Sequence, residues 1–293
     1  MLKKARKHIR HLLSLPAANY RINALEKEVG RLREQLDSFR SSFEVSPQMI
    51  QDFLEWKART PIPDQPLVSV CVATYNRGQL LTDRAIASVL AQTYKHFELV
   101  IVGDGCTDDT EDRIAKINDP RISFVNLPER GKYPDDPVKR WMVAGTAAMN
   151  KGMSLAQGDY ITHLDDDDEY LPERLERLVD FSMRKKCDFV WHPFWIVNQG
   201  TGWVLNEAEG LSFGKVTTGS VFYRSWFRRI EWDLNAHLRM EPGDWNRFRR
   251  IKYIAECMMR HDEPLLKHYR DDDQSLHVSS LCGDGSVVSS YSE

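Results

Sequence analysis

Hydrophobic positions between residues 21 and 45 recur in alternating steps of three and four. This heptad spacing predicts a helix with one narrow apolar stripe, and charged residues occupy most of its outer positions. The stripe consists of Ile22, Leu25, Val29, Leu32, Leu36, Phe39 and Phe43. Because such a stripe needs a partner, we expect a coiled-coil helix that makes the chain a homo-oligomer through residues 22–43. The alternative is that the stripe packs into a groove on the domain that follows.

The segments on either side of this helix have different patterns. Residues 1–20 mix lysine and arginine with leucine and isoleucine. This basic amphipathic segment suits peripheral contact with an anionic membrane surface, and a solvated terminus suits it equally. Residues 46–66 contain a short helical pattern and then a proline-rich linker. We therefore expect the main folded domain to span residues 67–279, followed by a tail at 280–293.

From residue 67 onward, short apolar runs alternate with helical patterns. The predicted elements are strands at 68–73, 97–102, 122–126 and 160–164 and helices at 80–91, 110–117 and 138–156. This alternation predicts an α/β fold with parallel strands and helices on both faces of the sheet. Ligands of such sheets bind beyond the carboxyl ends of the strands, so we expect the functional residues there.

Composition and charge narrow the class of protein. The chain has 293 residues and a formal net charge of -3, which gives no overall bias towards nucleic acid. Its five cysteines are scattered without the spacing of a zinc site, which favours a reducing cytoplasm. Neither a secretory signal nor an apolar run of about 20 residues is recognisable. We expect a cytoplasmic protein that reaches the inner face of the membrane only by peripheral contact.

Four consecutive aspartates, Asp165 to Asp168, follow the strand predicted at 160–164. Carboxylates packed this closely repel one another and raise one another's pKa unless a cation lies among them. A short acidic run can also be a solvated loop or the first turn of a helix. Its position after a buried strand favours a site for Mg²⁺ or Mn²⁺, which prefer oxygen ligands.

Aromatic and acidic residues also follow the first two strands. Tyr75 can stack on a flat heterocycle, and Asp104 can accept the N–H of that ring, although Tyr75 alone would also fit a half-buried rim position. A second aromatic stretch runs from residue 191 to residue 203. It can bind sugar rings or build the core, and we leave both open.

These segments together resemble family 2 glycosyltransferases of the GT-A fold, including members that build spore-coat polysaccharide. The resemblance runs from about residue 66 to about residue 279. It is carried by the segments 68–77 (VSVCVATYNR), 104–108 (DGCTD), 150–152 (NKG), 156–161 (AQGDYI) and 164–168 (LDDDD). It implies a nucleotide-diphospho-sugar transferase fold with a Rossmann-like mixed sheet.

The resemblance also implies roles for individual residues. Asp167, with Asp165 as a second candidate, would bind the metal. The residues expected to bind the nucleotide are Ala73, Thr74, Tyr75, Arg77, Asp104, Lys139, Arg140, Asp165 and Asp166. One departure concerns the turn after the second strand, where Gly103 and Cys106 replace the family's usual aspartate and serine.

Asp244 lies in a Gly-Asp-aromatic context that resembles the family's general base. The same residue could cap a helix. The resemblance implies an inverting transfer from a UDP- or dTDP-sugar to a glycan or glycolipid acceptor in surface polysaccharide synthesis. Two alternatives are a sugar-phosphate nucleotidylyltransferase and a non-catalytic scaffold of the same fold. Residues 273–277 resemble a segment found in this family, and we expect them to form a lid or a loop on the phosphate side.

Overall fold

Two β-sheets form the framework of the fold in the computed structural model, which describes residues 16–198 and 202–270. In chain order the strands are β1 Val68–Thr74, β2 Phe97–Gly103, β3 Ile122–Asn126, β4 Tyr160–His163, β5 Glu169–Tyr170, β6 Phe189–Trp191, β7 Phe194–Asn198, β8 Gly202–Asn206, β9 Val221–Arg224, β10 Met258–Arg260 and β11 Leu266–Arg270. The larger sheet has seven strands in the order β10-β6-β9-β4-β1-β2-β3, and the smaller has four in the order β5-β11-β7-β8.

The centre of the larger sheet is parallel, as the alternating sequence pattern predicts. Strand β1 pairs in parallel with both β2 and β4, and β2 pairs in parallel with β3. Strand β9 is antiparallel to both of its neighbours, so the sheet is mixed. The smaller sheet includes β5, directly after the aspartate run, and β11, which pairs with it.

Helices cover both faces of the larger sheet, and alternate residues of β1 enter two separate hydrophobic clusters. Val70 and Val72 join one cluster and Cys71 the other, because successive side chains of a strand point to opposite faces. The helices are α1 Pro16–Glu44, α2 Pro47–Arg59, α3 (Gly78–Leu80, a π-helical turn Leu81–Ile86, and Ala87–Leu90), α4 Thr110–Ala115, α5 Pro137–Val143, α6 Thr146–Leu155, α7 Arg174–Lys185 and α8 Gly243–Ile254.

The single helix predicted at 138–156 is in fact two helices, α5 and α6. Gly145 separates them with φ +77°, a left-handed conformation that glycine adopts without the steric cost of a side chain. The apolar pattern continues across the break, which is why periodicity alone did not reveal it. Within residues 16–198 and 202–270, no helix is both long enough and apolar enough to cross a membrane.

Helix α2 is anchored in the core of the main domain. Ser46 caps its first turn by accepting a hydrogen bond from the backbone N–H of Met49, and Pro47 begins the helix. Phe53 is completely buried and packs against Phe227, with ring centroids 4.9 Å apart. The segment before residue 67 is therefore packed into the same core as the residues that follow it.

We expect Phe53→Ala to lower the free energy of unfolding by about 3–5 kcal/mol, because it opens a cavity in a filled aromatic cluster. Leu238→Ala is the control, since Leu238 is 71% exposed and should change stability by no more than about 0.5 kcal/mol. Urea denaturation measures both. Equal stability of the two variants would show that α2 does not contribute to the core.

Candidate functional site

Most of the predicted functional residues meet in one cleft of about 410 Å³ at the carboxyl ends of β1, β2 and β4. This edge of the sheet is where the sequence predicted a ligand. The predicted residues that line the cleft are Ala73, Thr74, Tyr75, Arg77, Asp104, Asp165, Asp166, Asp167 and Asp244.

Two of the four aspartates are held by residues from β1 and the turn that follows it. Thr74 donates its hydroxyl hydrogen to Asp166 at 2.8 Å. The Arg77 guanidinium donates to Asp166 at 3.1 Å and to Asp167 at 2.8 Å. Arg84, on the π-helical turn of α3, donates to the backbone oxygen of Asp167 at 2.5 Å. The acidic run is therefore fixed in place rather than free in solvent.

The negative charges of the Asp165 and Asp167 carboxylates are only partly compensated by these partners. Burial, reinforced by the charges of Asp168 and Asp167, raises the pKa of Asp165 well above its ordinary value. Burial and the charges of Asp168 and Asp166 raise the pKa of Asp167 to about 6, although Arg77 opposes that shift. The cluster would therefore gain stability from a further positive charge.

A group suited to a divalent cation lies in this cluster. One potential ligand atom from each of Asp165, Asp168 and His268 lies within 4.8 Å of the other two. Carboxylate oxygens with one imidazole nitrogen suit Mn²⁺, so these side chains fit the metal that the sequence predicted. His268 lies on β11, and its Nδ1 is 2.9 Å from Asp168, whose carboxylate also accepts the backbone N–H of Tyr269.

This group shares Asp165 with the metal ligands predicted from the sequence. The carboxylate of Asp167, the other predicted ligand, is instead paired with Arg77. His268 lies 100 residues beyond Asp168 in an ordinary strand pattern, so the sequence offered no signal for it.

The side of the cleft expected to bind a base contains residues that the sequence analysis missed. The Arg130 guanidinium stacks on Tyr75, 3.8 Å from the ring centroid. Asp104 is buried, and its carboxylate accepts the backbone N–H of Gly131 at 3.0 Å and the hydroxyl hydrogen of Tyr133 at 2.8 Å. A carboxylate has about four lone-pair sites, so Asp104 can still accept an N–H from a ligand.

The departure at Gly103 has a structural explanation. A Cβ at this position would lie 2.5 Å from the side-chain oxygen of Asn126. That oxygen accepts the backbone N–H of Cys106 at 2.8 Å, and the Asn126 amide donates back to the Cys106 carbonyl at 2.9 Å. Asn126 therefore fixes the turn after β2, and glycine leaves room for it.

Asp244 lies in the first turn of α8, facing the cleft. The N-cap position is Pro242, and the Asp244 carboxylate accepts the backbone N–H of Trp245 at 2.6 Å. Burial raises the pKa of Asp244 to about 6, and its charge contributes to the raised pKa of Asp165. A carboxylate with this pKa is ionised at neutral pH and basic enough to accept a proton.

Comparison with known proteins identifies the family. The family model described as "Glycosyl transferase family 2" matches residues 69–134 and 139–231, which together make up more than half of the chain. This chain belongs to glycosyltransferase family 2. The family match begins within β1 and ends before Asp244, so α1, α2 and α8 lie outside it.

Curated relatives of this family 2 chain come from bacteria and archaea. TuaG of Bacillus subtilis, assigned by name to teichuronic acid biosynthesis, is 33% identical over 52% of this chain and 52% of its own length. WfaP of Escherichia coli, a UDP-Glc:α-D-GlcNAc-diphosphoundecaprenol β-1,3-glucosyltransferase, is 31% identical over 44% of this chain and 47% of its own length. An uncharacterized glycosyltransferase of Methanocaldococcus jannaschii is 37% identical over 75% of this chain and 67% of its own length.

Solved structures share the fold at lower sequence identity. TarS 1–349 of S. aureus in complex with UDP-GlcNAc superposes with a TM-score of 0.56 at 19% identity, over 73% of this chain and 60% of that one. The mannosyltransferase PcManGT of Pyrobaculum calidifontis, in complex with GDP-Man and Mn²⁺, superposes with a TM-score of 0.52 at 15% identity, over 75% of this chain and 64% of that one. The predicted GT-A fold is thereby confirmed. This chain spans about half the length of TuaG and WfaP.

Two basic residues predicted to lie near the phosphates are not among those that line the cleft of this family 2 chain. Lys139 is exposed on α5. Arg140, on the same helix, donates to the backbone carbonyl oxygens of Pro134 and Asp135. The predicted loop at 273–277 lies outside the described residues, as do residues 1–15.

Proposed function

We propose that this chain is a metal-dependent, inverting glycosyltransferase that uses a UDP- or dTDP-sugar as donor. The observation that carries the proposal is the meeting of three chemically distinct groups in one cleft. Tyr75 and Asp104 suit a pyrimidine base, the aspartates of residues 165–168 suit a cation with a diphosphate, and Asp244 suits the role of a base. Uracil and thymine present the same N–H to Asp104, so either donor fits.

The chain's own residues account for the binding of the nucleotide. Tyr75 would stack on one face of the base while Asp104 accepts its N–H. Arg130, which lies on Tyr75 at 3.8 Å, would provide either the second face of that stack or a contact with the phosphates. Asp166, held by Thr74, would bind the ribose. The contacts that hold Asp104 and Asp166 are already formed without a ligand, so these two side chains would need little ordering when the donor binds.

The transfer would be a single displacement. The oxygen of an acceptor hydroxyl forms a bond with the anomeric carbon, and the bond from that carbon to the diphosphate oxygen breaks, leaving its electron pair on the nucleotide. Asp244 accepts the hydroxyl proton. Attack opposite the leaving group inverts the anomeric carbon. A divalent cation, held by Asp165 with Asp168 and His268 or with Asp167, would offset the negative charge of the leaving diphosphate.

The acceptor is inferred from the relatives. The names of TuaG and WfaP refer to teichuronic acid and to a diphosphoundecaprenol-linked sugar. We therefore propose a glycan or lipid-linked acceptor of surface polysaccharide synthesis, which would place the enzyme in the cytoplasm at the inner face of the membrane. The basic residues 1–20 are suited to that contact.

Asp244→Asn tests the base directly. It keeps the size of the side chain but removes its basicity. We expect transfer from the active donor, found in a panel of UDP- and dTDP-sugars, to fall by roughly 10²–10⁴-fold, with melting temperature and UDP affinity little changed. In the wild type, kcat/KM should fall as pH drops through about 6, where Asp244 and Asp167 both take up protons.

Asp262→Asn is the matched control, because the Asp262 side chain is 92% exposed. Near-normal transfer by a folded Asp244→Asn protein would contradict the proposed base. Failure of the wild type with every donor, despite nucleotide binding, would favour the non-catalytic scaffold.

We also propose that the chain self-associates through the apolar stripe of α1. Leu25, Val29, Leu32, Leu36 and Phe39 are 46–64% exposed. Polar residues on a neighbouring face of the same helix contact the main domain instead, among them Arg40, whose guanidinium pairs with Glu241 at 2.7 Å. The stripe therefore remains accessible to the same stripe of a second copy.

We expect Leu32→Glu to reduce the oligomer to a monomer, since it places a charge in the middle of the stripe. Ser38→Glu adds the same charge at an exposed position outside the stripe and should leave the assembly intact. Light scattering coupled to size exclusion measures the mass of each. A wild type that is already monomeric at micromolar concentration would contradict self-association.

A further inference from the structure

The polar face of α1 contacts the part of the main domain that carries Asp244. Arg249, a buried residue of α8, pairs with Glu44 of α1 at 2.6 Å and with Glu241 at 2.8 Å. Its guanidinium also donates to the hydroxyl of Ser41 at 3.2 Å. Because charges this deeply buried are costly to leave unpaired, these contacts fix the end of α1 against α8.

The same face of α1 contacts two aromatic residues that line the cleft beside Asp244. Trp245 directly follows Asp244, and its indole N–H donates to the Asp37 carboxylate at 3.2 Å. The Arg33 guanidinium lies 5.7 Å from the ring centroid of Phe213. Arg33 and Asp37 are four residues apart and so share one side of the helix.

Another aromatic residue that lines the cleft beside Asp244 makes its ring contacts with the main domain. Trp232 packs edge-on against His163 and Phe248, which belong to the main domain. Trp245 is buried except for its contribution to the cleft, and its backbone N–H bonds to the Asp244 carboxylate. A change in the orientation of Trp245 would therefore alter both the aromatic lining of the cleft and the immediate surroundings of Asp244.

We propose that Asp37 is a positioning residue for the acceptor: it holds the indole ring of Trp245, and α1 thereby forms the outer support of the acceptor side of the cleft. This inference rests on the proposed function, in which the acceptor approaches Asp244. Aromatic rings suit the C–H faces of sugar rings, and Trp245 and Phe213 lie on the Asp244 side of the cleft. The donor side, built from Tyr75, Asp104 and Arg130, has no part in these contacts with α1.

The test compares Asp37→Ala with Asp37→Asn, whose amide oxygen can still accept the indole N–H. Glu34→Ala is the control, since Glu34 is exposed on the same helix. The indole N–H signal of Trp245, assigned with Trp245→Phe, reports the hydrogen bond by NMR. Octyl glucoside and octyl N-acetylglucosaminide serve as acceptor probes, and hydrolysis of the donor by water reports the donor side alone.

We expect Asp37→Ala to shift the Trp245 signal and to raise the KM for the acceptor probe roughly five- to tenfold. UDP affinity and donor hydrolysis should stay within about twofold of wild type, and Asp37→Asn should restore most of the loss. An unchanged Trp245 signal, or an unchanged acceptor KM, overturns the proposal. An equal loss of UDP affinity and transfer also overturns it, because α1 would then support the whole fold.

A failed proposed function gives a different result. The wild type would then transfer no sugar to any probe, whereas failure of this inference leaves wild-type transfer intact, with Asp37→Ala either identical to it or impaired equally in UDP affinity and transfer. The indole signal decides the contact between Asp37 and Trp245 in either case.

Discussion

Four aspartates are concentrated at the end of a buried strand, and the other elements of the site are arranged around their charge. Their mutual repulsion in a poorly solvated position has to be offset, and several elements contribute the necessary partners. Thr74 and Arg77 come from the end of β1, Arg84 from the π-helical turn of α3, and the contacts to Asp168 from β11. Burial and the neighbouring carboxylates still raise the pKa values of Asp165 and Asp167, so the cluster lacks compensating positive charge. A divalent cation would supply it and could bind a diphosphate at the same time.

The parts of this arrangement that the sequence predicted are local in the chain. Strand β4 with its aspartates, and β1 with Tyr75, could be predicted because the apolar run and the polar residues after it are contiguous. Arg130 and His268 could not, because each reaches the cleft only through tertiary contacts with distant segments. The resemblance implied a mixed sheet, but the pattern of residues alone did not identify β9 as its antiparallel strand, since the sequence of a short buried strand does not reveal its direction.

The N-terminal helix illustrates the same limit. Its heptad stripe was evident in the sequence, and the alternatives were a second copy or a groove on the main domain. The helix contacts the main domain through a different, polar face, while most of the stripe stays exposed. A salt bridge between Arg249 and Glu44 joins residues 205 positions apart, and no periodicity predicts such a pair. The proposed support of the cleft and the proposed self-association would therefore use separate faces of the helix.

Calorimetric titration of UDP and dTDP, with Mn²⁺ and with EDTA, tests whether a cation joins the carboxylates to the diphosphate. Uridine and thymidine, which lack the phosphates, are the controls. If a cation links the carboxylates to the diphosphate, EDTA should weaken the binding of the matching nucleotide by roughly tenfold or more, because two sets of like charges would then face each other. The matching nucleoside should bind equally in both conditions. Equal affinity of the diphosphate with and without Mn²⁺ would contradict a metal-dependent site.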